Sequence, residues 1–134
     1  MKHLDDILSQ YRTTKATTVR MTQDMRDKID QISFETHGSR GFTRWTEDAV
    51  ASFTELPDAV LKVGAGEADA EFSAVKYVRL TRVSEEYIRD LAGKIHWVDP
   101  LVHNARSLIL RAAYRHAIRE YLKKGRRQGE EEEA

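Results

Sequence analysis

The chain contains no cysteine, and its two prolines, Pro57 and Pro100, each close a helical pattern. Without thiols there can be no disulfide framework and no thiolate metal site, which suits a reducing cytoplasm. No apolar run approaches the roughly 18 residues that a membrane span needs. The start, Met1-Lys2-His3-Leu4-Asp5-Asp6, is too acidic and too weakly apolar for a signal peptide. An excess of one charge is also missing, because 22 basic residues cancel 22 acidic ones. The reading at this point is a cytoplasmic chain that does not engage a membrane. A neutral total counts at first against nucleic acid.

What is present is patterned. Apolar residues make up 40 % of the 134, enough for a modest core, and 33 % are charged, so much of the chain must face water. That length suits one domain, or two very small units packed as one. Charge is unevenly placed. Acids dominate from Glu47 to Glu71, with Lys62 the lone base. Bases dominate from Arg106 to Arg127, including Arg111, Arg115, Arg119, Lys123 and Lys124, against the single acid Glu120. Glu130–Glu133 then cancel four of these charges, and residues 125–134 read as a disordered acidic tail.

Leu4, Ile7, Leu8 and Tyr11 share one face at helical spacing, so 1–14 reads as an arm or short helix. Thr17-Thr18-Val19-Arg20-Met21 alternates and is β-branched, as a strand should be. Thr22 can cap a helix carrying Met25, Ile29 and Ile32, which stops at His37-Gly38-Ser39-Arg40-Gly41. Thr43 can cap a second helix that buries Trp45, Ala49, Val50, Phe53 and Leu56. Residues 58–75 are small, acidic and glycine-bearing, and read as a linker.

The order then recurs. Lys76–Val83 alternates like a strand, and Ser84-Glu85-Glu86 starts a helix whose acids suit the positive end of its dipole. Tyr87, Ile88, Leu91 and Ile95 continue its stripe. Asn104 or Ser107 caps a last helix, strongly apolar, running toward Lys124. The units are therefore 15–57 and 76–124, repeating at about 60 residues, too few copies for a solenoid and enough for a pair.

A lone strand leaves its edges unpaired, and two short helices cannot bury both apolar faces. Pairing two such units solves both problems. The junctions Val19-Arg20-Met21-Thr22-Gln23-Asp24-Met25 and Arg82–Leu91 resemble those of the ribbon-helix-helix family of DNA-binding proteins, the Arc and MetJ type. The resemblance spans about 16–56 and 76–122. It implies a mainly α fold with a two-stranded antiparallel β-ribbon, the tandem repeats folded as an intramolecular pseudo-dimer.

It also implies that the ribbon enters the major groove of double-stranded DNA, outward side chains on base edges. Those are Ala16, Thr18 and Arg20 in the first copy. In the second they are Tyr77, Arg79 and Thr81 if Val78 and Leu80 face inward. The junction match would instead turn Val83 inward and Arg82 outward, with a bulge between. Phosphate clamps at the start of each second helix carry over to Thr43, Arg44 and Thr46, and to Asn104, Ala105 and Arg106. Arg12 and Lys15 are placed to reach the backbone as an arm.

His3, His37, His96, His103 and His116 show no metal-ligand spacing, and His116 reads as a core residue. No phosphate loop, nucleophile elbow or clustered carboxylate pair appears, so neither cofactor nor enzyme activity is expected. The tandem plan is similar to relaxosome accessory factors of the TraY type, which implies a relaxase or another transfer protein as partner and two chains side by side on DNA. A plain repressor or antitoxin-like regulator is the alternative, to be separated by neighbouring genes. From another class, a helical protein-interaction adaptor would suit the apolar last helix. Binding of single-stranded RNA lacks the exposed aromatic platform it requires.

Overall fold

The computed structural model describes residues 16–133, and of 127–133 the helical backbone alone. The expected arm, 1–14, and the candidates Arg12 and Lys15 lie outside the described residues. The chain runs β1 (Thr17–Met21), α1 (Gln23–His37), α2 (Phe42–Thr54), α3 (Ala59–Lys62), β2 (Ala74–Val78), α4 (Arg82–Val98) and α5 (Ala105–Glu133). It is mainly helical, with one two-stranded antiparallel sheet, as expected.

The strands pair in a register set by their apolar sides. Thr17 lies opposite Val78, Thr18 opposite Tyr77, Val19 opposite Lys76, Arg20 opposite Val75 and Met21 opposite Ala74. Val19, Met21, Ala74 and Val78 are buried, and Leu80, two residues past β2, joins them. Each of the larger ones contributes roughly 1.5–3 kcal/mol by leaving water. A slip of one residue would push Arg20 beneath the ribbon and expose these side chains, so the register is strongly held. Lys76 shares the inner face at its margin, where its Nζ meets Asp30 at 2.7 Å and lies 4.2 Å from the centre of the Phe42 ring.

Beneath the ribbon, Ile29 and Ile32 of α1, Val50 and Phe53 of α2, Ile88, Leu91 and Ile95 of α4, and Ile109, Leu110, Ala113 and Tyr114 of α5 close one core. Trp45 packs inside, as expected, stacked on Tyr114 with ring centres 5.7 Å apart. The Tyr114 hydroxyl and the Thr46 hydroxyl share a buried hydrogen bond of 3.1 Å.

Several expectations at the element ends are corrected. Thr22 does cap α1, accepting from the Met25 N–H at 3.2 Å. Thr81, rather than Ser84, caps α4 and accepts from the Ser84 N–H at 3.4 Å. The second strand is therefore shorter at its end than 76–83 and begins earlier, at Ala74; no bulge is needed, because helix starts at Arg82. Thr43 caps nothing: α2 starts at Phe42 behind Gly41, where a Cβ would collide with the backbone and Cβ of His37. Ser107 lies inside α5, and Asn104 precedes that helix with a φ of 58°. Nor are residues 125–133 disordered. They continue α5 to Glu133, since lysine, arginine, glutamine and glutamate favour helix enough to offset two glycines.

Candidate nucleic-acid interface

With Val19, Met21 and Val78 turned inward, the pleat sends the alternate residues out. Thr18, Arg20, Tyr77 and Arg79 are exposed, as is Ala16, and Tyr77 keeps 75 % of its surface in water. Val75, opposite Arg20, completes this face. Sequence reasoning missed it because the strand was expected to begin at Lys76. Neither guanidinium, of Arg20 or Arg79, pairs with an acid among the described residues. Arg20 stands level with Val75, whereas Arg79 lies one residue beyond the Thr17–Val78 pair. That is about four residue steps, so the two side chains start about 13 Å apart along the ribbon.

Two expected reading residues are not on this face. Thr81 turns back toward the helices: its backbone N–H donates to Glu47 Oε1, and its hydroxyl donates to Glu47 Oε2 at 3.0 Å. Arg82 is exposed but sits in the first turn of α4, where the backbone has left the ribbon. The signal for this was in the sequence. Val78-Arg79-Leu80-Thr81 repeats Val19-Arg20-Met21-Thr22 at an offset of 59 residues, matching arginine to arginine and cap to cap.

The phosphate candidates divide. Arg44 is exposed on the first turn of α2, and Thr43 is half-buried beside it. The first amides of a helix have no partner within it, so this end keeps the polarity an anion favours. Thr46 is sealed in the core, with its hydroxyl given to Tyr114, and cannot reach a phosphate. At the start of α5, Asn104 is exposed, whereas the Ala105 side chain is buried. Arg106 is drawn to Glu85, with Nη2 2.7 Å from Oε1.

The basic run of α5 does not form one open cationic surface. Arg111 and Arg115 both bind Glu67, at 2.8 and 2.7 Å, and Lys123 lies 3.5 Å from Glu120. Burial alone would raise the Glu67 carboxyl, but hydrogen bonds and charge from the two arginines outweigh it and hold the group below its ordinary range. Glu47 responds oppositely. Burial raises it, aided by Glu85 and Asp48, and the bonds from Thr81 offset only part of the rise. His116 is half-buried against Phe53, and burial lowers its pKa.

Among the described residues, no three histidine, aspartate or glutamate side chains gather as metal ligands, and no helix is long and apolar enough to cross a membrane. No family model, no curated protein and no solved structure matches the chain.

Proposed function

We propose that this protein binds double-stranded DNA sequence-specifically, laying the β1–β2 ribbon in the major groove as a ribbon-helix-helix pseudo-dimer made from one chain. The observation that carries this reading is the ribbon itself. Its inner face is sealed, while its outer face offers Thr18, Arg20, Tyr77 and Arg79 to solvent. A major groove about 12 Å wide admits such a ribbon, and an arginine there can donate two hydrogen bonds to guanine O6 and N7.

Support for two equivalent units comes from the register. The offset of 59 residues that matches the two Val-Arg-Xaa-Thr runs also carries Thr18 onto Tyr77, and these two stand opposite each other. The flanking pairs, Thr17 with Val78 and Val19 with Lys76, exchange under the same operation. A pseudo-twofold axis through the ribbon has this property. The biological role we propose is that of a plasmid-transfer accessory factor, with a relaxase or other transfer protein as partner, or of a repressor. Unlike strands suit a site that is not a palindrome.

A protein partner is favoured by a separate observation. Trp97, Val98 and Leu101, around the turn between α4 and α5, are 90 %, 72 % and 80 % exposed. A helical adaptor without DNA binding would use the same turn. Titration of a labelled random duplex against salt separates the two. DNA binding through phosphates gives log K falling with log salt at about −0.9 per phosphate neutralised. Absence of any salt-dependent duplex binding would reject our reading and leave the adaptor.

A further inference from the structure

A two-stranded ribbon has no third strand, so the outer edge of each strand leaves backbone groups for other partners. Two charged side chains from the helices beneath take one each. Glu47 of α2, an acceptor, meets the N–H of Thr81 just past β2. Arg111 of α5, a donor, meets the carbonyl of Arg20 on β1, with Nη1 3.2 Å from the oxygen.

Arg111 is itself held from behind. Its Nε donates to Glu67 at 3.0 Å, Arg115 Nη1 donates to the other carboxylate oxygen at 2.7 Å, and the Phe72 ring lies 4.2 Å from the guanidinium carbon. Glu67 and Phe72 both belong to the connector between α3 and β2. That connector read as an inert linker, yet it supplies the acid that fixes the only arginine bonded to the reading strand.

We infer that Arg111 is a positioning residue for the reading face, and that the connector, through Glu67, sets where Arg20 is held. This rests on the DNA reading proposed above. Arg20 is one pair from the end of the ladder and two residues from the Thr22 cap, where the backbone turns into α1. Its Cα carries both the anchored carbonyl and the reading side chain, so the bond from Arg111 fixes the direction in which the guanidinium leaves the ribbon. Stability gives no comparable reason for the cluster. A buried ion pair is often matched or exceeded by apolar residues of the same volume. Holding one carbonyl in one place needs a donor with two rigid arms, one for Glu67 and one for Arg20.

The test begins with wild-type protein selecting a preferred sequence from a randomised duplex pool. Arg111→Lys keeps the charge but cannot serve both partners, and Arg111→Met with Glu67→Gln removes the tie without changing net charge. Both should lose about tenfold in preference for the selected duplex, with random-duplex affinity and melting temperature unchanged. Backbone amide shifts of free protein should move at Arg20–Thr22. Unchanged preference, equal losses on both duplexes, or unmoved shifts there would each overturn the positioning role. If the double variant does not fold, Arg111→Lys decides the matter. A wild-type protein that selects no sequence would instead sink the DNA reading, and this inference with it.

Discussion

Thr22 and Thr81 hold equivalent places 59 residues apart, each accepting at its hydroxyl oxygen the backbone N–H three residues on, but only Thr81 is also bound by a carboxylate. Their substitution should therefore differ in cost. Thr22→Ala removes one cap and should destabilise the protein by about 1 kcal/mol. Thr81→Ala removes the cap and also strips Glu47 of its hydroxyl donor, so a loss of about 2–3 kcal/mol is expected. Urea denaturation of the two variants measures the gap. Equal losses would show that the Glu47 contact contributes nothing.

Arg20→Ala should weaken binding to the selected duplex by about 1–3 kcal/mol and leave random duplex almost untouched. Fluorescence anisotropy on both duplexes reads this directly. Parallel losses on both would mean that Arg20 touches only phosphate. Arg79→Ala should behave in the same way, because it occupies the matching place on β2.

The two half-buried glutamates should pull stability in opposite directions with pH. Glu47 is raised above its ordinary 4.5, so as pH climbs past that value the unfolded chain ionises first and stability falls until the raised value is passed. Glu67 is lowered, so its stabilisation is present above 4.5 and is lost as pH drops through the lowered value. Glu47→Gln should then gain on wild type as pH rises above 4.5. The deficit of Glu67→Gln should be greatest near neutrality and shrink in acid. Unfolding free energies of the three proteins across about pH 3–7 test this, and two trends of the same sign would contradict it.

Tyr114→Phe should cost about 1–2 kcal/mol, since it leaves the buried Thr46 hydroxyl without its partner. Duplex affinity should not change. Thr46→Ala should likewise act on stability alone, and a selective loss of random-duplex binding in that variant would restore Thr46 as a phosphate ligand. Burial pushes the Tyr114 hydroxyl far above its usual range, so neither effect should vary with pH below about 9.

Much of the fold was legible because it rests on local pattern. The alternation of Val19 and Met21, the capping hydroxyl of Thr22 and the breaks at Pro57 and Pro100 all sit within a few residues of what they control. The limits of β2 were not legible from alternation, because Val83 prolongs it after Thr81 has already started a helix. Aligning the two Val-Arg-Xaa-Thr runs would have placed that boundary. Thr46 was misread for another reason: its hydroxyl faces inward because Tyr114, 68 residues away, supplies a partner. Glu47 and Glu67 looked like solvated members of an acidic stretch. Their partners lie 34 and 44 residues away, and no spacing rule reaches so far.

Threonine faces tyrosine at the one pair where identical residues would make the ribbon reversible. A chain seated on DNA in this way has a front and a back. Inverting its site within a longer duplex would swing the whole molecule round, and with it α5, a rod about 40 Å long. Whatever is met by that rod would be reached from one flank of the site and not from the other.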